Sequence, residues 1–149
     1  MDKKFDVVIV GTGAAGLYAA LNFPESVNIL LVSKRELQLS NSSLAQGGVA
    51  CVLDTVHDSY KLHITDTLIA GKYKNTLSAV EKLVTEGPSD VLKIKDLGVD
   101  FDLNEDGTMC KTLEAGHSRN RIVHHKDSTG KAIVDGLIAK VTQLKNVTR

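Results

Sequence analysis

The first apolar stretch, Phe5-Asp6-Val7-Val8-Ile9-Val10, is β-branched and stops at Gly11, which predicts a strand buried on both faces. Gly13 to about Phe23 reads as a helix with Leu17, Ala20 and Leu21 on one side, broken by Pro24. Val27 to Val32 predicts a second buried strand. Together they form a βαβ unit, whose crossover should be right-handed. The polar, Gly-rich stretch from Ser40 to Gly48 reads as a surface loop. Helices are expected over Asp58 to Ala70, started by Asp58 and Ser59, and over Asn75 to Glu86, with Leu77, Val80, Leu83 and Val84 inward. Pro88 is expected to open a separate helix ending near Gly98. Asn104-Glu105-Asp106-Gly107 is a turn signal between short extended pieces, and Ser128 to Leu144 is the last helix.

Only two parallel strands can be placed with this pattern, and the chain ends just as another apolar run starts at Val147. The expected fold class is therefore α/β: a Rossmann-like βαβ domain, incomplete, occupying 1–149 as the N-terminal portion of a larger domain. No internal repeat or low-complexity linker interrupts it.

Composition narrows the function classes. With 149 residues, 42% hydrophobic and 24% charged, the chain has the make-up of one ordinary globular domain. Its 18 basic and 18 acidic residues cancel, which gives no electrostatic reason to expect nucleic acid or an anionic membrane. Cys51 and Cys110 are far apart and fit a reducing compartment. The run Val7 to Val10 is too short for a signal core or a membrane span. With Met1 entering a strand almost at once, a cytoplasmic location is expected.

Gly11-Thr12-Gly13-Ala14-Ala15-Gly16 is GxGxxG, and its place between a strand and a helix gives it weight. Gly11 permits the tight turn, Gly13 lets a pyrophosphate approach the backbone, and Gly16 lets helix and strand pack closely. The helix N-terminus offers free N–H groups to phosphates. FAD and NAD both use such a turn, so the motif leaves that choice open. The acidic residue expected after the second strand is replaced by Ser33-Lys34, with Glu36 nearby.

Four segments together resemble the L-aspartate oxidase branch of the succinate dehydrogenase and fumarate reductase flavoprotein family. They are the GTGAAG turn, Ser33-Lys34, the loop Ser43-Leu44-Ala45-Gln46-Gly47-Gly48-Val49-Ala50, and Leu113-Glu114-Ala115-Gly116-His117-Ser118. Asp58-Ser59 with His63, Asp66-Thr67, Ala70-Gly71 and Asp127-Ser128-Thr129-Gly130 also fit. In this family Ser-Lys commonly replaces the acidic residue. The resemblance implies FAD, with Lys34 and Ser33 at its adenosine end and Thr12 to Ala15 at the pyrophosphate. Asn41, Ser42, Ser43, Leu44, Ala45, Gln46, Gly47 and Gly48 would wrap the flavin side.

Position 41 is where respiratory members carry the histidine that bonds covalently to flavin, so Asn41 implies non-covalent FAD. Glu114 stands where aspartate oxidases carry a glutamate and the dicarboxylate-only relatives an apolar residue. A carboxylate there favours a substrate with an α-ammonium group and repels one bearing carboxylates alone. Ala115 departs from the usual glycine and puts the backbone of this loop in question. His117 admits a site role or a hydrogen-bonded structural one. His57, His63, His124 and His125 show no metal-ligand spacing, so no metal is expected. Arg119 and Arg121 read as solvated loop charges, with attraction of a dicarboxylate as the other option.

The resemblance implies flavin-dependent oxidation of L-aspartate to iminoaspartate. Hydride leaves the α-carbon, and oxygen or fumarate serves as final acceptor. In the family this feeds quinolinate and hence NAD synthesis, with quinolinate synthase as an implied partner. The family's main catalytic arginine and capping domain come later in the chain, so these 149 residues are expected to be inactive alone. Two alternatives stay open: a fumarate reductase or succinate dehydrogenase flavoprotein, and a non-catalytic dinucleotide-binding module.

Overall fold

The computed structural model describes residues 3–149. The opening apolar run forms β1 (Val7–Val10), α1 (Ala14–Leu21) follows the glycine turn, and β2 (Ile29–Val32) returns parallel to β1 with Val7 opposite Ile29. The chain then forms β3 (Val49–Ala50), α2 (Tyr60–Ala70), α3 (Leu77–Asp96), β4 (Lys111–Thr112), β5 (Ile122–Val123), α4 (Thr129–Val141) and β6 (Val147–Thr148). The apolar run at Val147 is a strand: β6 pairs parallel with β2, giving the sheet order β1-β2-β6. A second small antiparallel sheet, β3-β5-β4, has no clear signal in the sequence because its strands are two residues each.

One core lies between the parallel sheet and the pair α1 and α4. Leu17, Ala20, Leu31, Val134, Leu137 and Val141 meet there, all nearly inaccessible. Each such leucine contributes roughly 1.5–3 kcal/mol by leaving water. A second core joins α3 to the small sheet through Cys51, Val91, Val99, Phe101, Met109 and Val123. Burial pushes the Cys51 thiol up to about 12, which leaves it an unreactive core residue.

Three expectations are corrected. The parallel strands are covered on one face only: Val8 is 58% and Val10 83% exposed, while Leu31 and Ile29 point into the protein. Apolar composition announces a doubly buried strand, but α1 and α4 both pack on the same side. The second correction concerns Pro88, which sits inside the 20-residue α3 and does not open a new helix. Val80, Val84, Pro88 and Val91 form one continuous buried stripe across it. Burial of that face outweighs the roughly 3 kcal/mol that an internal proline costs. A third correction is that Leu77 and Leu83, expected inward with Val80 and Val84, are 51% and 69% exposed, because the stripe that runs on through Pro88 and Val91 turns them to the outer side. The other differences are at helix ends. Ser59 caps α2 by accepting from the Leu62 amide at 3.2 Å.

Candidate functional site

The glycine turn is held to the sheet on both sides. Gly11 takes φ +110°, a region closed to most side chains, and its amide donates to Val32 O at 2.8 Å. A Cβ on Gly16 would overlap Gly11 O, so α1 can leave the strand this closely only with glycine there. Thr12 is buried, and its hydroxyl donates to Ser33 Oγ at 3.1 Å, tying the turn to the end of β2. Ser33 is thus fixed beside the turn, with exposed Lys34 next to it.

The serine-rich loop folds back onto this turn. Ser42 Oγ accepts from the Ala14 amide at 3.1 Å, and a Cβ on Gly13 would come within 2.9 Å of the same hydroxyl. That amide of the α1 N-terminus, expected to face a phosphate, is occupied by the serine. Ser43 braces its own turn by donating through its hydroxyl to Ser40 O at 2.8 Å. The loop's far end rests on α4: the Gly130 amide donates to Ala45 O at 3.0 Å, and a Cβ on Gly130 would overlap Ser42 O. A Cβ on Gly48 would likewise run into Val123 of β5. The contribution of α4 was missed from the sequence; its signal is Ser128-Thr129-Gly130, two small residues after a helix start.

These contacts enclose a groove of about 530 Å³ lined by Gly11, Thr12, Gly13, Ser33, Lys34, Asn41, Ser42 and Leu44, among others. A smaller recess of about 210 Å³ is lined by Ala14, Ser42, Ala45, Gly47, Gly48, Thr129 and Gly130. Ser42 borders both. Ala15, Gly16, Ser43 and Gln46 border neither of these two hollows. The donor set suits an extended dinucleotide: bare backbone at Gly11 and Gly13, hydroxyls at Thr12, Ser33 and Ser42, and one cation at Lys34.

Glu114 opens a tight turn in which the His117 amide donates to Glu114 O at 3.2 Å, with Gly116 at φ +84°. Only the third residue of this turn needs a positive φ, so Ala115 is accommodated in place of glycine. The exposed Glu114 carboxylate lies against Gly47: a Cβ there would sit 3.7 and 3.9 Å from its two oxygens. The turn thus brings Glu114 to the Gly-rich loop, although the two are distant in sequence.

Behind the turn is an ion cluster that the sequence reading placed in solvent. Arg121 is fully buried. Its Nε and Nη2 donate to Asp58 Oδ2 and Oδ1 at 2.8 and 2.7 Å, and its Nη1 donates to Asp66 Oδ2 at 2.5 Å and to His117 Nδ1 at 3.2 Å. Ser118 donates to Asp66 Oδ2 through both its amide and its hydroxyl. Burial alone would raise the carboxyl pKa values; hydrogen bonds from Arg121 and the Ser59 amide to Asp58, and from Ser118 and Arg121 to Asp66, outweigh it and hold both below the ordinary range. His63, also buried, is pushed down by desolvation and by the Arg121 and His117 neighbours. Arg119, by contrast, remains exposed as expected. A net charge near zero concealed the cluster, but Asp58 just before α2, with His63 and Asp66 on it, was its available signal. His124 and His125 take no part in this cluster and face Asp102 and Asp100 instead, at 3.0 and 3.5 Å.

Residues 6–149 match the FAD binding domain family. The chain is 46% identical to an L-aspartate oxidase of Clostridium perfringens over 99% of its own length and 33% of that protein. It is 44% identical to an L-aspartate oxidase of Acinetobacter baylyi over 97% of its length and 26% of that protein. Among solved structures it superposes on E. coli quinol fumarate reductase with a TM-score of 0.93 and 28% identity, over 97% of this chain and 25% of that one. The chain therefore spans about a quarter to a third of the length of the curated relatives it matches. No helix among the described residues is long and apolar enough to cross a membrane. The glycine turn, the groove beside it and the match along almost all of its length place this chain in the FAD binding domain family.

Proposed function

We propose that this chain is the N-terminal FAD-binding portion of an L-aspartate oxidase, a protein that oxidises L-aspartate to iminoaspartate with fumarate or oxygen as acceptor. The observation that carries the proposal is the carboxylate of Glu114 lying against Gly47 of the loop that shapes the groove. Identity of 46% and 44% to L-aspartate oxidases supports it.

FAD, when bound, supplies the two-electron acceptor. Thr12, Gly13 and Ser33 would hold its phosphates and ribose through hydroxyls and backbone amides, with Lys34 adding positive charge at the adenosine end. Asn41 to Gly48 would lie along the flavin without a covalent bond, since asparagine has no ring nitrogen to make one. Glu114 would orient the substrate by its α-ammonium group and select against ligands bearing carboxylates alone. Quinolinate synthase, as consumer of the unstable imine, is the partner this reading suggests.

A fumarate reductase or succinate dehydrogenase flavoprotein is the second reading, favoured by the close superposition on quinol fumarate reductase. Acid precipitation of the full-length flavoprotein separates the two. The proposal expects the flavin in the supernatant and peroxide formation with L-aspartate. Flavin retained in the pellet, with succinate as the better reductant, would replace it by the second reading.

A further inference from the structure

Arg121 is a donor only and stays charged, so the His117 Nδ1 at 3.2 Å must be the unprotonated, accepting nitrogen of the ring. The guanidinium cannot swing away. Asp58 grips it in bidentate fashion at 2.7 and 2.8 Å, and Asp66 takes the same Nη1 that faces the histidine. Asp66 also fixes the residue after His117, because Ser118 donates to it twice. The ring of His63 closes the other side, its centroid 5.6 Å from that of His117 and tilted by 57°. Backbone, ring plane and tautomer of His117 are thus set from three directions. The hydrogen of the imidazole must then be on Nε2, the ring nitrogen that the clamp does not engage.

On the same tight turn, three residues earlier, Glu114 presents its carboxylate beside Gly47. One turn therefore carries an acceptor for a cation and an oriented donor for an anion. A substrate with an ammonium and a carboxylate on one carbon has that pair of needs. We propose that the Asp58–Arg121–Asp66 clamp locks His117 as the Nε2–H tautomer, and that this N–H binds the α-carboxylate of an α-amino acid whose ammonium group Glu114 binds. Arg121 is then a positioning residue and His117 a specificity-determining one. The ligand half rests on the aspartate oxidase reading; the tautomer half does not.

Two measurements on the FAD-loaded full-length protein test it. Histidine ¹⁵N NMR, with the His117 signals assigned through the variants, should show a protonated Nε2 and an unprotonated Nδ1, and Arg121→Lys should weaken that preference. A protonated Nδ1 in the unaltered protein would overturn the clamp. In steady-state kinetics, His117→Gln keeps an amide donor near the Nε2 position, whereas His117→Asn keeps only an acceptor near Nδ1. The Asn variant should raise KM for L-aspartate by on the order of 10- to 100-fold with kcat little changed, and the Gln variant should recover most of it. Flavin absorbance confirms that each variant is loaded. Asn performing as well as histidine while Gln fails would reduce His117 to a structural acceptor and overturn the ligand half. Absence of any flavin bleaching by L-aspartate in the unaltered protein would instead remove the oxidase reading, and the ligand half with it. The NMR result would stand in either case.

Discussion

Glu114 and Gly130 show how single residues act on the groove from opposite sides. The Glu114 carboxylate is exposed and lies against Gly47, so its replacement should alter ligand choice and leave the fold intact. Glu114→Gln in the full-length flavoprotein is expected to raise KM for L-aspartate about tenfold or more while its melting temperature stays put. An unchanged KM would remove Glu114 from the site. Gly130 acts through space. Any side chain there would strike Ser42 O, so Gly130→Ala should separate α4 from the serine-rich loop. Weaker FAD binding and a lower melting temperature are expected together, by calorimetry and flavin fluorescence. The glycine turn was legible in the sequence because spacing and context spell out its mechanism. The need for Gly130 was not, since it arises from a loop more than eighty positions away.

At the scale of elements, α2 is a helix whose inner side is polar: His63 is its only buried residue, and Asp58 and Asp66 turn inward to Arg121. A buried arginine without its carboxylates, or the reverse, is expensive. Arg121→Ala should therefore cost about 3–5 kcal/mol, measured by denaturant unfolding. The same cluster predicts acid sensitivity. Asp58 and Asp66 titrate lower when folded, so their contribution is complete above the ordinary carboxylate value of about 4 and fades as pH falls below it. His63, pushed down by burial, adds a loss that starts earlier, as pH falls through about 6.5. Thermal melts from pH 8 to pH 3 should show both declines, roughly, with the lower one reduced in Asp66→Asn. A melting temperature flat across that range would contradict the cluster. Sequence patterning found α2 and its cap but not this role, because charges at a helix surface look alike until a partner is placed. Pro88 teaches a related lesson: local propensity suggested a break, and the continuous stripe through Val84 and Val91 overrode it.

For the molecule as a whole, the arrangement is a parallel sheet β1-β2-β6 carrying a glycine turn at its edge, with the small sheet and α2 bringing Glu114 across to the same loop. The βαβ start and the dinucleotide-type turn were readable from periodicity and glycine spacing, whereas the choice of FAD came from the family resemblance. Within this stretch α1 and α4 cover one face of the sheet and leave Val8 and Val10 exposed on the other, a one-sidedness that apolar strands do not announce. All of the functional reading depends on one physical claim: the groove between the glycine turn and the serine-rich loop seats FAD, with the substrate's ammonium group held beside it. The most direct measurement is the visible spectrum of the full-length, flavin-loaded protein titrated with L-aspartate without oxygen. The account predicts loss of the oxidised flavin band with L-aspartate and none with succinate. A band untouched by L-aspartate, or bleached by succinate instead, would contradict it.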